Sequence, residues 1–252
     1  MTTAANAPGR RAPDKISSMF AEISPRYDLL NRVMSLGRDI SWRHALSRRI
    51  LVLQPPGNLL DLATGTGDQI VSIKRFWPEA EITGLDFAAP MLRLAKEKLR
   101  LAMEGHRIAG PLPGLVKGDA VRPDLPSGSF DSVSISFGLR NIADRKGLYG
   151  SALDLLRPGG RFLVLEIFFD PRGLFAPLYR RHLMTVIPFL AARVFGCPAE
   201  AYRYLGASIM KFPHPELLVD ELERAGFVDL GFHTYTFGVA MVVWGHKPPR
   251  NH

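Results

Sequence analysis

The chain has 252 residues, of which 46% are hydrophobic and 22% are charged, so it can form one α/β domain with an elaboration, or at most two small domains. Its single cysteine excludes an intrachain disulfide and a cysteine-based metal site, and no other metal site is predicted. The net charge of +8 indicates an anionic partner, such as nucleic acid, an acidic membrane or a phosphate-bearing ligand, although a basic solvated surface explains it about equally well.

Neither a membrane-spanning helix nor a signal peptide is expected. The sequence lacks an uninterrupted apolar run of about 18 residues, the length that a spanning helix needs. Arginines occur near the amino terminus, but the apolar segment of a signal peptide does not follow them. The cysteine content fits a reducing cytoplasm.

Residues 1–57 are predicted to contain a tail and helices but no strand. Residues 1–14 are small, polar and proline-bearing, which is typical of disorder. Beyond them, apolar residues recur at the spacing of amphipathic helices, and Pro25 and Gly37 separate the repeats. The predicted helices cover about residues 15–24, 26–37 and 40–53.

Strand-like and helix-like segments alternate from residue 58 to residue 170. The strands are predicted near residues 58–63, 81–86, 114–118, 130–137 and 161–168, and the helices between them near 67–76, 88–104 and 144–156. Strands joined by helical crossovers favour a mainly parallel sheet with helices on both faces. The stretch from Leu156 to Arg161 is expected to be a sharp turn between the last helix and its strand.

Residues 171–213 interrupt this alternation with an apolar, aromatic and basic segment, which we predict to be an insertion of short helices. A helix over residues 214–225 and two strands, over 228–237 and 239–246, complete the chain, and the short link between the strands predicts an antiparallel pair. The expected fold is therefore α/β, with a mostly parallel seven-stranded sheet in one domain over residues 15–252. Its parts are N-terminal helices (15–57), a core (58–170), the insertion (171–213) and a final helix with strands (214–247).

The stretch from Asn58 to Asp68 is the centre of the predicted site. A short buried strand runs into a turn with Gly65 and Gly67 and then into a helix, an arrangement that lets the backbone approach a ligand closely. Ile70 replaces the third glycine of the dinucleotide-binding pattern, and the carboxylates of Asp61 and Asp68 would repel a diphosphate. The pattern favours a nucleoside with an ammonium or sulfonium group. Asp61 could equally cap the loop by accepting backbone hydrogen bonds.

Two further acids follow the next strands. Asp86 ends the second strand, where a carboxylate can accept both hydroxyl groups of a ribose, although it could also cap the following helix. Asp119 and Ala120 follow the third strand, and a carboxylate beside a backbone N–H suits the exocyclic amine and ring nitrogen of adenine. A plain turn at Asp119 is the alternative.

Polar residues also gather at the end of the fourth strand, where Ser136, Arg140 and Asn141 are predicted to face the glycine turn. Ligands bind outside the carboxyl ends of parallel strands, at the point where the strand order reverses. Each of these residues alone is commonly structural, and Arg140 could instead form a surface ion pair.

This set of features resembles the class I S-adenosylmethionine-dependent methyltransferases over residues 58–168. The shared features are the glycine turn, the acids after strands two and three, and the Leu-x-Pro-Gly-Gly stretch before strand five. Three further motifs resemble the ubiquinone/menaquinone biosynthesis C-methyltransferase family, and with them the resemblance covers about residues 15–247. They are Met19 to Asn31, which contains Arg26-Tyr27-Asp28, Ile135 to Asn141, and Tyr202 to Leu205 followed by Ser208-Ile209.

The resemblance implies a Rossmann-like methyltransferase fold that binds S-adenosyl-L-methionine and methylates a carbon of a polyprenylated quinol ring. The positions that match the cofactor site of the family are Thr66, Asp86, Asp119-Ala120 and Ser136, to which we add Asp61, Gly65 and Gly67. The predicted substrate contacts are Tyr27, Phe137, His182 and Tyr202, and the predicted catalytic residues are Arg140 and Asn141. Two departures are small: Thr64 stands where the family often has glycine, and Asp119 where it often has asparagine.

Carbon methylation needs a hydroquinone that loses a hydroxyl proton, and the attack on the sulfonium methyl group then needs alignment in a dry site. The base could be His182, His214, Tyr202 or, as we prefer, a water held by Arg140 and Asn141. Demethylmenaquinol is the favoured substrate, and the methoxybenzoquinol of the ubiquinone pathway is the alternative.

The insertion is predicted to serve the isoprenoid tail and the membrane. Its apolar residues could line a route for the tail or form an ordinary helical core, and its arginines could meet anionic lipid headgroups, at roughly 1 kcal/mol for each basic residue. We therefore expect a cytoplasmic protein attached peripherally to the inner face of the plasma membrane, with a homodimer left open. The competing hypotheses are methylation of a phenol, sterol or polyketide, nucleic-acid binding, for which no recognised RNA module is present, and a non-catalytic binding protein.

Overall fold

A computed structural model of the chain describes residues 27–51, 57–173, 175–193 and 199–250. The predicted tail over residues 1–14 and the predicted helix over 15–24 lie outside this part of the chain. The strands of the described part are β1 (Asn58–Leu62), β2 (Glu81–Asp86), β3 (Gly114–Lys117), β4 (Phe130–Ser136), β5 (Leu156–Ile167), β6 (Val228–Tyr235) and β7 (Ala240–His246).

The α-helices follow the predicted alternation closely. They are α1 (Tyr27–Met34), α2 (Arg38–Leu51), α3 (Asp68–Phe76), α4 (Ala89–Glu104), α5 (Arg145–Leu155), α6 (Ala176–Arg181), α7 (Ile187–Arg193), α8 (Ala199–Met210) and α9 (Pro215–Ala225). A short 3₁₀ turn spans Leu139–Asn141, and a π-helical segment, His182–Val186, joins α6 to α7. Within the described residues no helix combines the length and apolar character that crossing a bilayer requires.

The strands form one seven-stranded sheet in the order β3-β2-β1-β4-β5-β7-β6. β7 runs antiparallel to both of its neighbours, and all other neighbouring pairs are parallel. The predicted fold class and the predicted C-terminal antiparallel pair are therefore confirmed. The strand order reverses between β1 and β4, so the carboxyl ends of these strands form the crevice in which such sheets bind ligands.

β5 begins earlier than the sequence predicts. Leu156 to Arg161 was expected to be a turn, but Leu156 already pairs with Phe130, and the backbone N–H of Gly159 donates to the carbonyl of Lys247 at 3.0 Å. The register shifts after Phe130, so the two glycines form an irregularity inside the strand. Gly159 has a φ of 76°, a conformation that glycine adopts without steric cost.

Helix α2 covers one face of the sheet and places α1 near the glycine turn. Its Trp42, Leu46 and Ile50 are buried in the same hydrophobic cluster as Leu59 of β1. The opposite face of β1 contributes Leu60 and Leu62 to a second cluster beneath α5 and α9. The central strand is thus buried on both faces, as is typical of a parallel sheet between helical layers.

Candidate active site

The glycine turn is fixed to the end of β2 by backbone hydrogen bonds. The N–H of Thr64 donates to the carbonyl of Leu85 at 3.0 Å, and the N–H of Gly67 donates to the carbonyl of Thr64 at 3.0 Å. Gly65 and Gly67 have φ values of 56° and 80°, which favour glycine. Among the described residues, apart from Gly65 and its two chain neighbours, none has an atom within 4 Å of the position that a β-carbon of Gly65 would take, so a ligand can approach its backbone.

Asp86 lies beside this turn, as the ribose interpretation requires. Its Oδ2 accepts from the N–H of Gly65 and its Oδ1 from the N–H of Ala88, both at 2.8 Å. The carboxylate is buried, and burial raises its pKa despite these backbone hydrogen bonds. The bond to Ala88 shows that Asp86 also supports the start of α4. The backbone of Phe87 also contacts this carboxylate, and lone-pair capacity remains for a ligand hydroxyl group.

Asp119 and Ala120 follow β3 at the same edge of the sheet. The N–H of Gly118 donates to the carbonyl of Asp86 at 3.0 Å, which sets the two acids on neighbouring chain segments. Asp119 is exposed, and its Oδ1 accepts from the N–H of Val121 at 2.9 Å, so the turn interpretation also holds for this residue. Ala120 is buried behind it.

Asp61 lies beneath the turn. Its Oδ2 accepts from the hydroxyl of Thr64 at 2.7 Å and its Oδ1 from the hydroxyl of Ser134 at 2.8 Å, so it caps the loop through side-chain hydroxyl groups and not through backbone N–H groups. Burial raises its pKa from 3.8 to about 6, although both hydroxyl groups and Arg43 oppose the shift. Asp61 thus provides negative charge below the turn at neutral pH.

We expect Asp61→Asn to become more stable relative to the wild type as pH rises. The folded chain holds a proton on Asp61 up to a pKa of about 6, whereas the unfolded chain releases it near 3.8. Stability from this group is therefore present at low pH and lost as pH rises through the folded value. Urea unfolding of both proteins between about pH 4 and about pH 7 measures the difference between their free energies of unfolding. This difference should change by about 2–3 kcal/mol in favour of the variant. A constant difference would contradict the raised pKa.

Asp68 does not face the ligand as a free carboxylate. Its Oδ1 accepts from Nζ of Lys98 at 2.5 Å and its Oδ2 from Nη2 of Arg32 at 2.9 Å, while Nε of Arg43 lies 4.0 Å away. Burial alone would raise the pKa of Asp68, but Arg43, Lys98 and Arg32 lower it to about 2. The prediction that Asp68 helps to attract a cationic ligand is therefore wrong, because three basic side chains neutralise its charge.

Thr66 joins the same group of charges. Its hydroxyl donates to Oδ1 of Asp28 at 2.6 Å and accepts from Nζ of Lys98 at 2.9 Å, and Nζ of Lys98 lies 2.6 Å from Oδ2 of Asp28. Asp28 belongs to the Arg26-Tyr27-Asp28 motif, but sequence reasoning assigned it no role, and nothing in the sequence marked Lys98. These contacts hold α1 against the glycine turn.

Ser136 and Phe137 close the site on the β4 side. The hydroxyl of Ser136 donates to Oε1 of Gln69 at 3.2 Å, so α3 fixes its orientation. Phe137 has a φ of 57°, a strained conformation for a non-glycine residue. Its ring packs edge-on against Trp42, with centroids 6.3 Å apart, and lies 4.8 Å from the guanidinium carbon of Arg43. The loop after β4 is therefore held in one conformation.

Arg140 differs most from its expected setting. Sequence reasoning placed it open to the site or in a surface ion pair, but its side chain is 2% exposed and pairs with Glu166, which is 0% exposed. Its Nη1 donates to Oε1 of Glu166 at 2.5 Å and to the carbonyl of Phe137 at 2.6 Å. The neighbouring Asn141 is half-buried in the 3₁₀ turn. The pair with Glu166 was not predicted, since Glu166 reads as part of a buried strand.

Of the predicted substrate residues, His182 and Phe137 have described side chains. Nε2 of His182 lies 3.1 Å from the carbonyl of Met34 at the end of α1, and its ring stacks on Tyr179. Tyr27 begins α1 and Tyr202 lies in α8. The side chains of both fall outside the part of the chain that the structure describes.

The carboxylates described around the turn suit a cationic nucleoside. Carboxylates of Asp61 and Asp86 flank the glycine turn, and Asp119 extends them along the edge of the sheet. The basic groups nearest to the turn are occupied by Asp28 and Asp68. This arrangement fits a ribose and a sulfonium better than a diphosphate.

Comparisons with known proteins agree with this geometry. At 42% identity the chain is similar to a demethylmenaquinone methyltransferase of Thermus thermophilus, with 91% of this chain and all of that protein covered. A ubiquinone/menaquinone biosynthesis C-methyltransferase of Geotalea daltonii is 38% identical, with 93% and 97% covered. Among solved structures, human N-acetylserotonin methyltransferase in complex with SAM has a TM-score of 0.64 at 20% identity, with 95% of this chain and 61% of that chain covered. A SAM-dependent methyltransferase of Thermotoga maritima has a TM-score of 0.62 at 18% identity, with 92% and 99% covered.

The two solved structures support the methyltransferase fold, and the sequence relatives support more than the fold. Residues 10–247 match the ubiE/COQ5 methyltransferase family, which is nearly the range over which the three motifs predicted a resemblance. The predicted enzyme class is confirmed by this match. The chain therefore belongs to the ubiE/COQ5 methyltransferase family.

Proposed function

We propose that the chain transfers the methyl group of S-adenosyl-L-methionine to a ring carbon of a polyprenylated quinol, most specifically demethylmenaquinol. The observation that carries the proposal is the carboxylate of Asp86 beside the backbone of Gly65, at the crevice of a fold whose relatives are quinone methyltransferases. Relatives from Thermus, Deinococcus and Thermotoga are all named demethylmenaquinone methyltransferases. The broader name of the Geotalea protein supports the ubiquinone-pathway methoxybenzoquinol as the second candidate.

S-adenosyl-L-methionine is the methyl donor, and when bound it supplies an electrophilic methyl group on sulfur. The chain binds its adenine at Asp119 and Ala120 and its ribose at Asp86. Thr66, in the turn after β1, and Ser136, at the end of the neighbouring β4, would hold its sulfonium and amino-acid part. Asp61 lies below and stabilises the positive charge.

The loop after β4 positions the acceptor ring. Arg140 acts as a positioning residue, because its guanidinium joins Glu166 to the carbonyl of Phe137 and thereby fixes the loop. Asn141 is the catalytic residue that this loop presents, and it holds a water that takes the hydroxyl proton of the quinol. Phe137 provides an apolar wall that excludes bulk water from the ring.

The acceptor is tested by incubating the protein with methyl-labelled S-adenosylmethionine and either demethylmenaquinol or the demethylated methoxybenzoquinol. We expect label to appear in the first quinol at the higher kcat/KM. Transfer only to the second would assign the protein to the ubiquinone pathway. Transfer to neither, with S-adenosylmethionine still bound, would point to another small-molecule acceptor.

The isoprenoid tail and the membrane are proposed to meet the insertion. Several of its large apolar side chains are exposed although they lie in short helices, and Phe237 in the turn between β6 and β7 is 83% exposed. The rings of Phe175 and Phe237 meet edge to face with centroids 5.3 Å apart, so the turn and the insertion share one apolar surface. Among the described side chains of the insertion, the other large apolar residues that are exposed are Leu178, Met184, Val186 and Phe189.

Exposed basic residues lie in the same helices as these apolar side chains. Arg180, Arg181 and Arg193 are exposed in α6 and α7. Apolar side chains that enter an interface and arginines that meet anionic headgroups act together in peripheral binding. We therefore propose that the protein attaches to the cytoplasmic face of the plasma membrane through this surface.

Phe237→Glu is expected to weaken binding to anionic vesicles about tenfold, because an aromatic ring no longer enters the interface. Flotation with phosphatidylglycerol-containing vesicles measures the bound fraction. Leu112→Glu is the matched control, since Leu112 is 68% exposed but precedes β3 at the opposite edge of the sheet. Equal losses in the two variants, or wild-type protein that stays with the soluble fraction, would refute the proposed surface.

A further inference from the structure

The contacts of Asp28 with Thr66 and Lys98 form a carboxylate-binding arrangement beside the glycine turn. One oxygen of Asp28 accepts from the hydroxyl of Thr66 at 2.6 Å, and the other lies 2.6 Å from the ammonium of Lys98. Thr66 in turn accepts from Lys98 at 2.9 Å, so the two donors are held together. A hydroxyl and an ammonium group placed in this way bind a carboxylate through two strong hydrogen bonds.

Each basic side chain around this arrangement has a carboxylate partner while Asp28 occupies it. Three basic side chains, Arg32, Arg43 and Lys98, surround Asp68 and so neutralise more than its own charge. Asp39 pairs with Arg32, which leaves Lys98 to be matched by Asp28. If the carboxylate of Asp28 moved away, the hydroxyl of Thr66 would lose its acceptor and Lys98 would keep only its contact with Asp68. A second carboxylate in the same place would restore both contacts.

The amino-acid part of S-adenosyl-L-methionine carries such a carboxylate. The nucleoside is assigned to Asp86 and Asp119 at the ends of β2 and β3, and β1 is the next strand toward β4. The amino-acid part must therefore pass over the turn that begins after β1, where Thr66 lies. Thr66 is buried, but Asp28 and Lys98 are partly exposed, so exchange at their side needs only a movement at the start of α1.

We propose that Thr66 and Lys98 bind the α-carboxylate of the cofactor and that Asp28 competes with it for these two donors. Binding of the cofactor then displaces the side chain of Asp28 and releases the first turn of α1 from the glycine turn, while Arg32 keeps its contacts with Asp39 and Asp68. Asp28 lowers the affinity for the cofactor, and Lys98 raises it. The inference rests on the proposed nucleoside site at Asp86.

The test measures equilibrium binding by calorimetry with two probes. S-adenosylhomocysteine carries the amino-acid carboxylate, whereas 5′-methylthioadenosine keeps the nucleoside and lacks the carboxylate. Lys98→Met should weaken binding of S-adenosylhomocysteine about tenfold or more, the effect of one charge-assisted hydrogen bond, and leave 5′-methylthioadenosine unchanged. Lys96→Met, on the exposed face of the same helix, is the matched control and should change neither affinity.

Asp28→Asn tests whether Asp28 competes with the carboxylate of the cofactor or contacts the cofactor directly. We expect it to tighten S-adenosylhomocysteine several-fold and to leave 5′-methylthioadenosine unchanged. Weaker binding of S-adenosylhomocysteine would show instead that Asp28 contacts the ammonium group of the cofactor, and would overturn the proposal. Equal losses for both probes in Lys98→Met would also overturn it, because Lys98 would then only support the turn. Failure of the nucleoside site itself is distinguishable, since the wild type would then not bind 5′-methylthioadenosine.

Discussion

Replacing Arg140 by alanine is expected to lower the free energy of unfolding by about 3–5 kcal/mol, because Glu166 would be left as a buried charge without its partner. Glu166 is 0% exposed, and it accepts from both the guanidinium and the backbone N–H of Arg140. The carbonyl of Phe137 would also lose its donor, in a residue already held at a φ of 57°. Urea unfolding followed by circular dichroism measures the loss.

The double variant Arg140→Met/Glu166→Met is the control for this effect. Apolar residues of similar size replace both charges, so no uncompensated charge remains, and such replacements are often close to neutral in stability. A double variant as unstable as Arg140→Ala would show that packing in the loop, and not the ion pair, accounts for the loss.

The same double variant tests the role of Arg140 in turnover. If Arg140 only positions the loop, kcat should fall while the affinity for S-adenosylhomocysteine stays within about twofold, because the proposed nucleoside contacts, Asp86 and Asp119, follow β2 and β3 and not β4. Restoring only the charge with Arg140→Lys should recover part of kcat, since lysine can reach one of the two acceptors but not both. Full activity in the folded double variant would remove Arg140 from the mechanism.

The fold could be predicted from the sequence because its signals are local. Alternating apolar segments gave the strands, and the glycines at 65 and 67 marked the turn at the sheet edge. The error at Leu156 has a physical reason: a Pro-Gly-Gly sequence is typical of turns, but a glycine with positive φ also permits a bulge inside a paired strand. Local patterns do not distinguish these two outcomes.

The pairing of charges could not be predicted in the same way. Lys98 is 30 residues from Asp68, and Glu166 is 26 residues from Arg140, so only the packed helices and strands bring them together. Asp68 was read as a free carboxylate because its partners lie on α1, α2 and α4. The sequence thus predicts a site and its acidic residues, but it does not show which of these acids are paired with basic side chains.

The carboxylate of Asp86 remains available to a ligand. Asp86→Ala should therefore weaken binding of 5′-methylthioadenosine by about 100-fold or more. Two hydrogen bonds from ribose hydroxyl groups to an ionised carboxylate contribute about 1.5 kcal/mol or more each. Asp124→Ala, which removes an exposed acid after β3, should change nothing. Calorimetry measures each affinity.

The loss alone would not separate ribose binding from support of the turn, because Asp86 also accepts from the N–H groups of Gly65 and Ala88. The 2′,3′-dideoxy analogue of 5′-methylthioadenosine makes this separation. In the wild type the analogue should bind far more weakly than the parent nucleoside, since it cannot donate to the carboxylate. In Asp86→Ala the two should bind equally. A difference that persists in the variant would assign the ribose to another residue and leave Asp86 with the backbone alone. Equal binding in the variant would make the carboxylate of Asp86 the group that fixes the nucleoside, and with it the methyl group, over the glycine turn.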